Sequence, residues 1–167
     1  VSTYVADRDG KIIGRAADQA AALAVNGSKV IKQNISVSNP KLWSTENPYL
    51  YRVVALVKSN GKIVDSQMLR FGIRSVDISE KGLFVNGKYM KVYGVCCHQD
   101  HAGVGSGLPD YLKYYRVRLL KDMGVNAYRT SHNPPTPELL EACDSLGMLV
   151  LDETRLLNSS PEYMSQF

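Results

Sequence analysis

The sequence has 167 residues, of which 44% are hydrophobic and 22% charged, a composition typical of a globular protein with one ordinary domain or two small ones. No apolar run approaches the roughly 20 residues of a membrane span, and the first residues are not those of a signal peptide, so we expect no membrane partner. The net charge of +4 comes from scattered Lys and Arg residues without a basic stripe, and we therefore expect no nucleic-acid partner.

Residues 1 to about 75 have the pattern of antiparallel β-structure. Apolar and polar residues alternate around Asp9-Gly10 and again around Asn60-Gly61, and both dipeptides are typical of tight hairpin turns. The pattern therefore predicts at least two β-hairpins in this half of the chain.

A further strand is predicted for the stretch KVIKQNISV. It places Ile31, Ile35 and Val37 on one face, with Gln33 as the polar exception to the alternation. Short strands with such turns are typical of an immunoglobulin-like sandwich, which usually needs about 100 residues. We therefore expect an antiparallel immunoglobulin-like β-sandwich over residues 1–76 that is incomplete on its N-terminal side.

The pattern changes in residues 77–167, where a hairpin at Asn86-Gly87 is followed by alternating strands and helices. The predicted elements are a strand near 91–97, a helix from Asp110 to Gly124, a strand at 125–130, a helix from Thr136 to Gly147 and a strand at 148–152. Strands separated by helices in this way pair in parallel. No glycine-rich loop follows the first strand, which favours a (β/α)8 barrel over a nucleotide-binding sheet.

Polar side chains collect where each of these three strands ends. They are His98, Gln99, Asp100 and His101 after the first strand, Arg129, Ser131 and His132 after the second, and Asp152, Glu153 and Arg155 after the third. The carboxyl ends of parallel strands lie on one rim, where barrel active sites are found. We therefore expect these groups to face a shared cleft.

The residue types in the cleft leave several chemistries open. His98 and His101 have a spacing that suits a metal, but direct hydrogen bonding to a ligand is the preferred interpretation. Arg129 either anchors a ligand carboxylate or pairs with an acid of the protein. Asp152 and Glu153 either supply acid–base chemistry or are held by that arginine.

The three cysteines do not make a disulfide framework. Cys96 and Cys97 are neighbours in a predicted strand, so their side chains should point to opposite faces, and Cys143 lies in a predicted helix. We expect all three to be buried thiols that pack as small hydrophobic groups.

Four stretches in this order resemble glycoside hydrolase family 2, and the β-galactosidases above all. They are LWSTENPYLYRV, RFGIRSV, LFVNGKYMKVYGVCCHQDH and NAYRTSHNPPTPELLEACDSLGMLVLDE. The resemblance covers nearly the whole chain. It implies an immunoglobulin-like sandwich in 1–76, followed in 77–167 by the first three β/α units of an incomplete (β/α)8 TIM barrel.

The resemblance also implies roles for individual residues. His98 and His132 match histidines that contact sugar hydroxyls. Arg129 matches an arginine that helps to orient the nucleophilic carboxylate. Asp152 and Glu153 match the acidic pair that closes the third barrel strand, and we expect them to have supporting roles.

The catalytic carboxylates of the family follow the fourth and seventh barrel strands, which this sequence does not reach. We therefore expect no catalytic residue in the chain and no hydrolysis by the chain alone. Family members with an active-site magnesium carry an acid and a histidine shortly after the acidic pair, and TRLLNSSPEY has neither in that register. We accordingly expect no metal and no other cofactor.

The function implied by the resemblance is that of a fragment of a retaining, exo-acting β-galactosidase, with a β-galactoside or a related oligosaccharide as its partner. A β-glucuronidase or β-mannosidase of the same family is an alternative, because these enzymes share the first half of the barrel. A non-catalytic carbohydrate-binding or interaction module is an alternative of another class. A homo-oligomer is compatible with the sequence, and the cellular compartment is left open.

Overall fold

The computed structural model describes residues 1–153 and 160–165. The chain divides into two compact units, Val1–Val76 and Asp77–Phe167. Within the described residues, no helix combines the length and the apolar character that a membrane crossing requires.

The first unit, whose residues are all described, contains a four-stranded antiparallel sheet in the order β2-β1-β3-β4. Its strands are β1 (Ser2–Ala6), β2 (Ile12–Arg15), β3 (Tyr51–Ser59) and β4 (Lys62–Phe71). The two predicted hairpins are confirmed, because β1 pairs with β2 and β3 with β4. At the second turn, Asn60 and Gly61 have φ values of 50° and 77°, the left-handed conformation that a tight two-residue hairpin turn demands.

The strand predicted within residues 29–37 is wrong, since residues 16–50 are all described and form no strand. Burial nevertheless alternates along this segment, as the sequence indicated. Gln33 faces inward because its side chain accepts a hydrogen bond from the Thr3 hydroxyl at 2.6 Å and donates one to the Ala17 carbonyl at 2.9 Å. The side chains thus pack as in a strand while the backbone joins no ladder.

This extended segment lies against the sheet. Ile35 and Val37 pack on a buried cluster that contains Val5 and Tyr51. A Cβ atom at Gly14 would lie 2.7 Å from the Cγ2 of Ile35, so the glycine allows the segment to approach β2. The core of the first unit therefore lies between one antiparallel sheet and an unpaired extended layer.

The second half of the chain begins with a sheet in the order β5-β6-β7 and continues with a sheet in the order β10-β9-β8. The strands are β5 (Val76–Ser79), β6 (Gly82–Val85), β7 (Lys88–Met90), β8 (Gly94–Cys97), β9 (Ala127–Thr130) and β10 (Leu149–Leu151). The described helices are α1 (Asp110–Asp122), α2 (Pro137–Leu146) and the short α3 (Pro161–Met164). The predicted parallel pairing is confirmed, since β9 pairs in parallel with both β8 and β10.

Local signals set the helix ends as predicted. Thr136 is the N-cap of α2 and Pro137 occupies its first turn, while Gly147 ends it with a left-handed φ of 76°, the conformation glycine adopts without strain. Strand β8 is shorter than predicted because the Asn126 side chain takes the place of a strand partner. It accepts from the Tyr93 N–H and donates to the Lys91 carbonyl, each at 2.8 Å.

The core of the second unit lies between the parallel sheet and helices α1 and α2. Its buried members are Val117, Val125, Tyr128, Ala142, Cys143 and Met148. Cys97 packs against this core, whereas Cys96 is exposed. The expectation of three buried thiols holds fully only for Cys143, since Cys97 is half-buried. It is wrong for Cys96, because alternation along β8 turns its side chain to the face opposite the helices.

Candidate functional site

Glu153 stands at the centre of a polar cluster at the carboxyl ends of the parallel strands. Its Oε1 atom accepts a hydrogen bond from Arg129 Nη2 at 2.9 Å and contacts His132 Nδ1 at 3.0 Å. The Glu153 side chain is 18% exposed, against 42% for Arg129 and 55% for His132. The parallel register brings Glu153 close to Arg129, because Leu151 of β10, two residues before Glu153, lies opposite Arg129 of β9.

The neighbours of Glu153 keep it ionised. The hydrogen bond from His132, followed by the charge of Arg129, holds the pKa of this carboxyl below its usual value despite burial. An ionised carboxylate only accepts hydrogen bonds, so the proton of this contact must reside on Nδ1 of His132. The Nε2 atom of that imidazole then remains available to a ligand.

Arg129 has a second contact that sequence reasoning missed. Its Nη1 atom lies 3.5 Å from the Sγ atom of Cys96. This hydrogen bond lowers the pKa of the Cys96 thiol and raises that of the arginine. The signal for it was the predicted alternation of Cys96 and Cys97, but the pairing of Cys96 with Arg129 across the strands needed the register.

Thr130 links the two acidic residues. Its buried hydroxyl accepts from the Glu153 N–H at 3.1 Å and donates to Asp152 Oδ1 at 3.4 Å. Asp152 is exposed, and its carboxylate contacts this hydroxyl rather than the arginine. The acidic pair is thus divided, with Glu153 turned towards Arg129 and His132.

His98 lies beside this cluster. Its ring centroid is 5.2 Å from that of His132, and the rings meet edge to face at 85°. The loops that carry the two histidines are also joined through Gln99, whose Nε2 donates to the Pro134 carbonyl at 3.0 Å. The peptide bond between Ser131 and His132 is cis. The structure therefore brings His98, His132, Arg129 and Glu153 together at the ends of three strands.

The third histidine is held elsewhere by its own backbone. The N–H and carbonyl of His101 both bond to Gly105 within a tight turn. No group of three or more His, Cys, Asp or Glu side chains in the described residues could hold a metal ion. The stretch TRLLNSSPEY covers residues 154–163, and its first six residues, Arg155 among them, lie outside the described residues.

A cavity of about 120 Å³ is lined by the loops that follow β8 and β9 and by helices α1 and α2. Besides His98 and Gln99, its lining includes Arg116 of α1, the buried Tyr128 ring and Leu139 of α2. The cavity is therefore on the helix side of the sheet, whereas Cys96 and Arg129 lie on the opposite face.

Two family models match the sequence. The model for the TIM barrel domain of glycosyl hydrolases family 2 covers residues 76–164, and a second model of the same family covers residues 1–74. The chain is 36% identical over 155 residues to a β-galactosidase of Bacteroides ovatus, which covers 92% of this chain and 18% of that protein. It is 40% identical over 129 residues to a putative β-glucuronidase of Formosa agariphila, covering 77% of this chain and 15% of that protein.

Solved structures of glycoside hydrolases also resemble this chain. A glycosyl hydrolase family 2 member from Bacteroides cellulosilyticus superposes with a TM-score of 0.81 at 34% identity, covering 99% of this chain and 22% of that one. A β-glucuronidase from Parabacteroides merdae superposes with a TM-score of 0.82 at 30% identity, covering 99% of this chain and 21% of that one. The chain thus spans about a fifth of the length of the proteins it matches.

Proposed function

The chain belongs to glycoside hydrolase family 2, with a sandwich domain followed by part of a TIM barrel, and from that premise we propose that it is a segment of a retaining, exo-acting β-galactosidase. In this proposal the segment holds the first three β/α units of the barrel and binds the terminal sugar. The observation that carries it is the cluster of His98, Arg129, His132 and Glu153 at the ends of the parallel strands.

The two catalytic carboxylates are proposed to lie outside this chain. A retaining glycosidase needs a nucleophile and a proton donor about 5–5.5 Å apart, and a proton donor needs a raised pKa. Glu153 has a lowered pKa because His132 and Arg129 stabilise its charge. That environment supports a role in positioning its two neighbours and argues against a role as the general acid.

His132 and His98 are proposed to bind hydroxyl groups of the sugar. Glu153 fixes the His132 ring through Nδ1 and leaves Nε2 to accept a hydrogen bond from a hydroxyl. The edge-to-face contact of 5.2 Å keeps His98 beside it. Two adjacent imidazoles suit a pair of neighbouring hydroxyls, and a site built to bond a hydroxyl strongly rejects a sugar that lacks it.

The charges near the histidines support a neutral sugar. A glucuronide carries a carboxylate that calls for a cation, but within residues 1–153 and 160–165 the guanidinium groups near the histidines are already engaged. Arg129 bonds to Glu153 and Cys96, and Arg116 bonds to two backbone carbonyls. A β-glucuronidase remains the second candidate, because relatives and solved structures with that name match the chain.

The test is hydrolysis of nitrophenyl glycosides by the full-length protein that carries this sequence. We expect the β-galactoside to have the highest kcat/KM, with the β-glucuronide and β-mannoside well below it. A preference for the β-glucuronide would replace the proposal with its alternative. No turnover of any glycoside, together with binding of galactose, would favour the non-catalytic carbohydrate-binding module.

A further inference from the structure

Arg116 of helix α1 reaches the loop that carries His98. Its Nη1 atom donates to the His98 carbonyl at 2.8 Å, and its Nη2 atom donates to the Asp100 carbonyl at 2.6 Å. One guanidinium therefore fixes two backbone carbonyls of the segment that leaves β8. The planar fork of arginine makes both bonds at once, which the single ammonium of lysine does less well.

The arginine is itself held in place. Its neighbour Val117 is fully buried in the core, which fixes this turn of α1. Arg116 also contacts Tyr128, whose pKa burial raises to about 12 while the hydrogen bond from Arg116 acts in the opposite direction. The guanidinium thus contacts two carbonyls of the loop and the Tyr128 side chain from one position on α1.

The loop also helps to line the cavity of about 120 Å³, through His98 and Gln99, and Arg116 lies on the same cavity. Packing contacts normally hold a loop in place, and residues that line a cavity lack such contacts on the side that faces it. Here the two bonds from Arg116 and the bond from Gln99 to the Pro134 carbonyl hold the loop beside the cavity.

We propose that Arg116 is a positioning residue for sugar binding, which holds the backbone at His98 so that its imidazole stays beside that of His132. The inference rests on the proposed function, since it assigns the sugar contact to His98. Arg116 itself lies on the helix side of the sheet and is not assigned a contact with the sugar.

The test uses the full-length enzyme and a double-mutant cycle. Arg116→Gln should lower kcat/KM for a nitrophenyl β-galactoside about tenfold, as for one or two lost hydrogen bonds, and Arg116→Lys should recover part of the loss. Arg118→Gln, an exposed position on the same helix, is the matched control and should change kcat/KM less than twofold. In a His98→Ala background, Arg116→Gln should have little further effect, because residues that act as a unit are not additive.

Hydrogen exchange provides a readout that is independent of activity. Amide exchange in the peptide that contains residues 98–101 should accelerate in Arg116→Gln and not in Arg118→Gln. Additive losses in the cycle, or unchanged exchange in this peptide, would overturn the inference. If His98→Ala keeps full activity, the proposed contact between His98 and the sugar is wrong. Amide exchange of residues 98–101 in Arg116→Gln then shows separately whether Arg116 holds the loop: accelerated exchange supports this role, and unchanged exchange excludes it.

Discussion

Replacing His132 separates the two bonds that its ring is proposed to make. In the structure Nδ1 contacts Glu153 at 3.0 Å, and Nε2 is left for the sugar. The amide nitrogen of asparagine lies near the position of Nδ1, so His132→Asn keeps a donor for Glu153 and removes the group proposed to bond the sugar. Glutamine reaches about as far as Nε2, so His132→Gln does the reverse.

The expected loss follows from the bond that each variant removes. Leaving a bound sugar hydroxyl without its partner costs about 1–3 kcal/mol of transition-state binding, which is about a 5- to 150-fold change in kcat/KM. His132→Asn should lose this amount. His132→Gln should lose less if its amide reaches the hydroxyl, and His132→Ala should lose at least as much as His132→Asn.

The assay is kcat/KM of the full-length enzyme with a nitrophenyl β-galactoside. His101→Ala is the control, because His101 lies in a separate turn closed by bonds between its backbone and Gly105, and its kcat/KM should stay within about twofold of wild type. Wild-type activity in His132→Asn would refute the sugar contact. A loss in His132→Gln that exceeds the loss in His132→Asn would show that the anchor to Glu153 matters more than the sugar bond.

Three further predictions concern this chain. The 167-residue chain alone should not hydrolyse nitrophenyl β-galactoside, because a complete barrel typically needs about 250 residues; turnover at the rate of a normal enzyme would mean that the catalytic acids are misassigned. The carboxyl of Glu153 should titrate below about 4.3, the value of an unfolded chain, and its pKa should rise in His132→Ala, which NMR of the carboxyl carbon measures. Since folding lowers this pKa, ionised Glu153 stabilises the fold above about pH 4.3, and this stabilisation is lost as the pH falls through the folded-state pKa. Iodoacetamide should label Cys96 before Cys143, because Arg129 lowers the pKa of the exposed thiol while burial raises that of Cys143 to about 12; equal labelling on a peptide map would contradict the strand orientation.

The features of the fold that depend on local residue chemistry could be predicted from the sequence. The turn at Asn60-Gly61 and the ends of α2 at Thr136 and Gly147 depend on the conformations that these residue types adopt over a few bonds. The order of strands and helices after residue 77 predicted parallel pairing, because a crossover helix returns the chain in the same direction. The same order brought the polar groups to one end of the sheet.

Contacts between residues distant in sequence were decided by the tertiary structure alone. Arg129 had several acids within plausible reach, and the register of β9 against β10 selected Glu153. The register of β8 against β9 placed Cys96 beside that arginine. Arg116 lies 18 residues from the loop it supports. Periodicity fixes which face of an element a side chain occupies, but only the packing of one element on another decides which partner it meets.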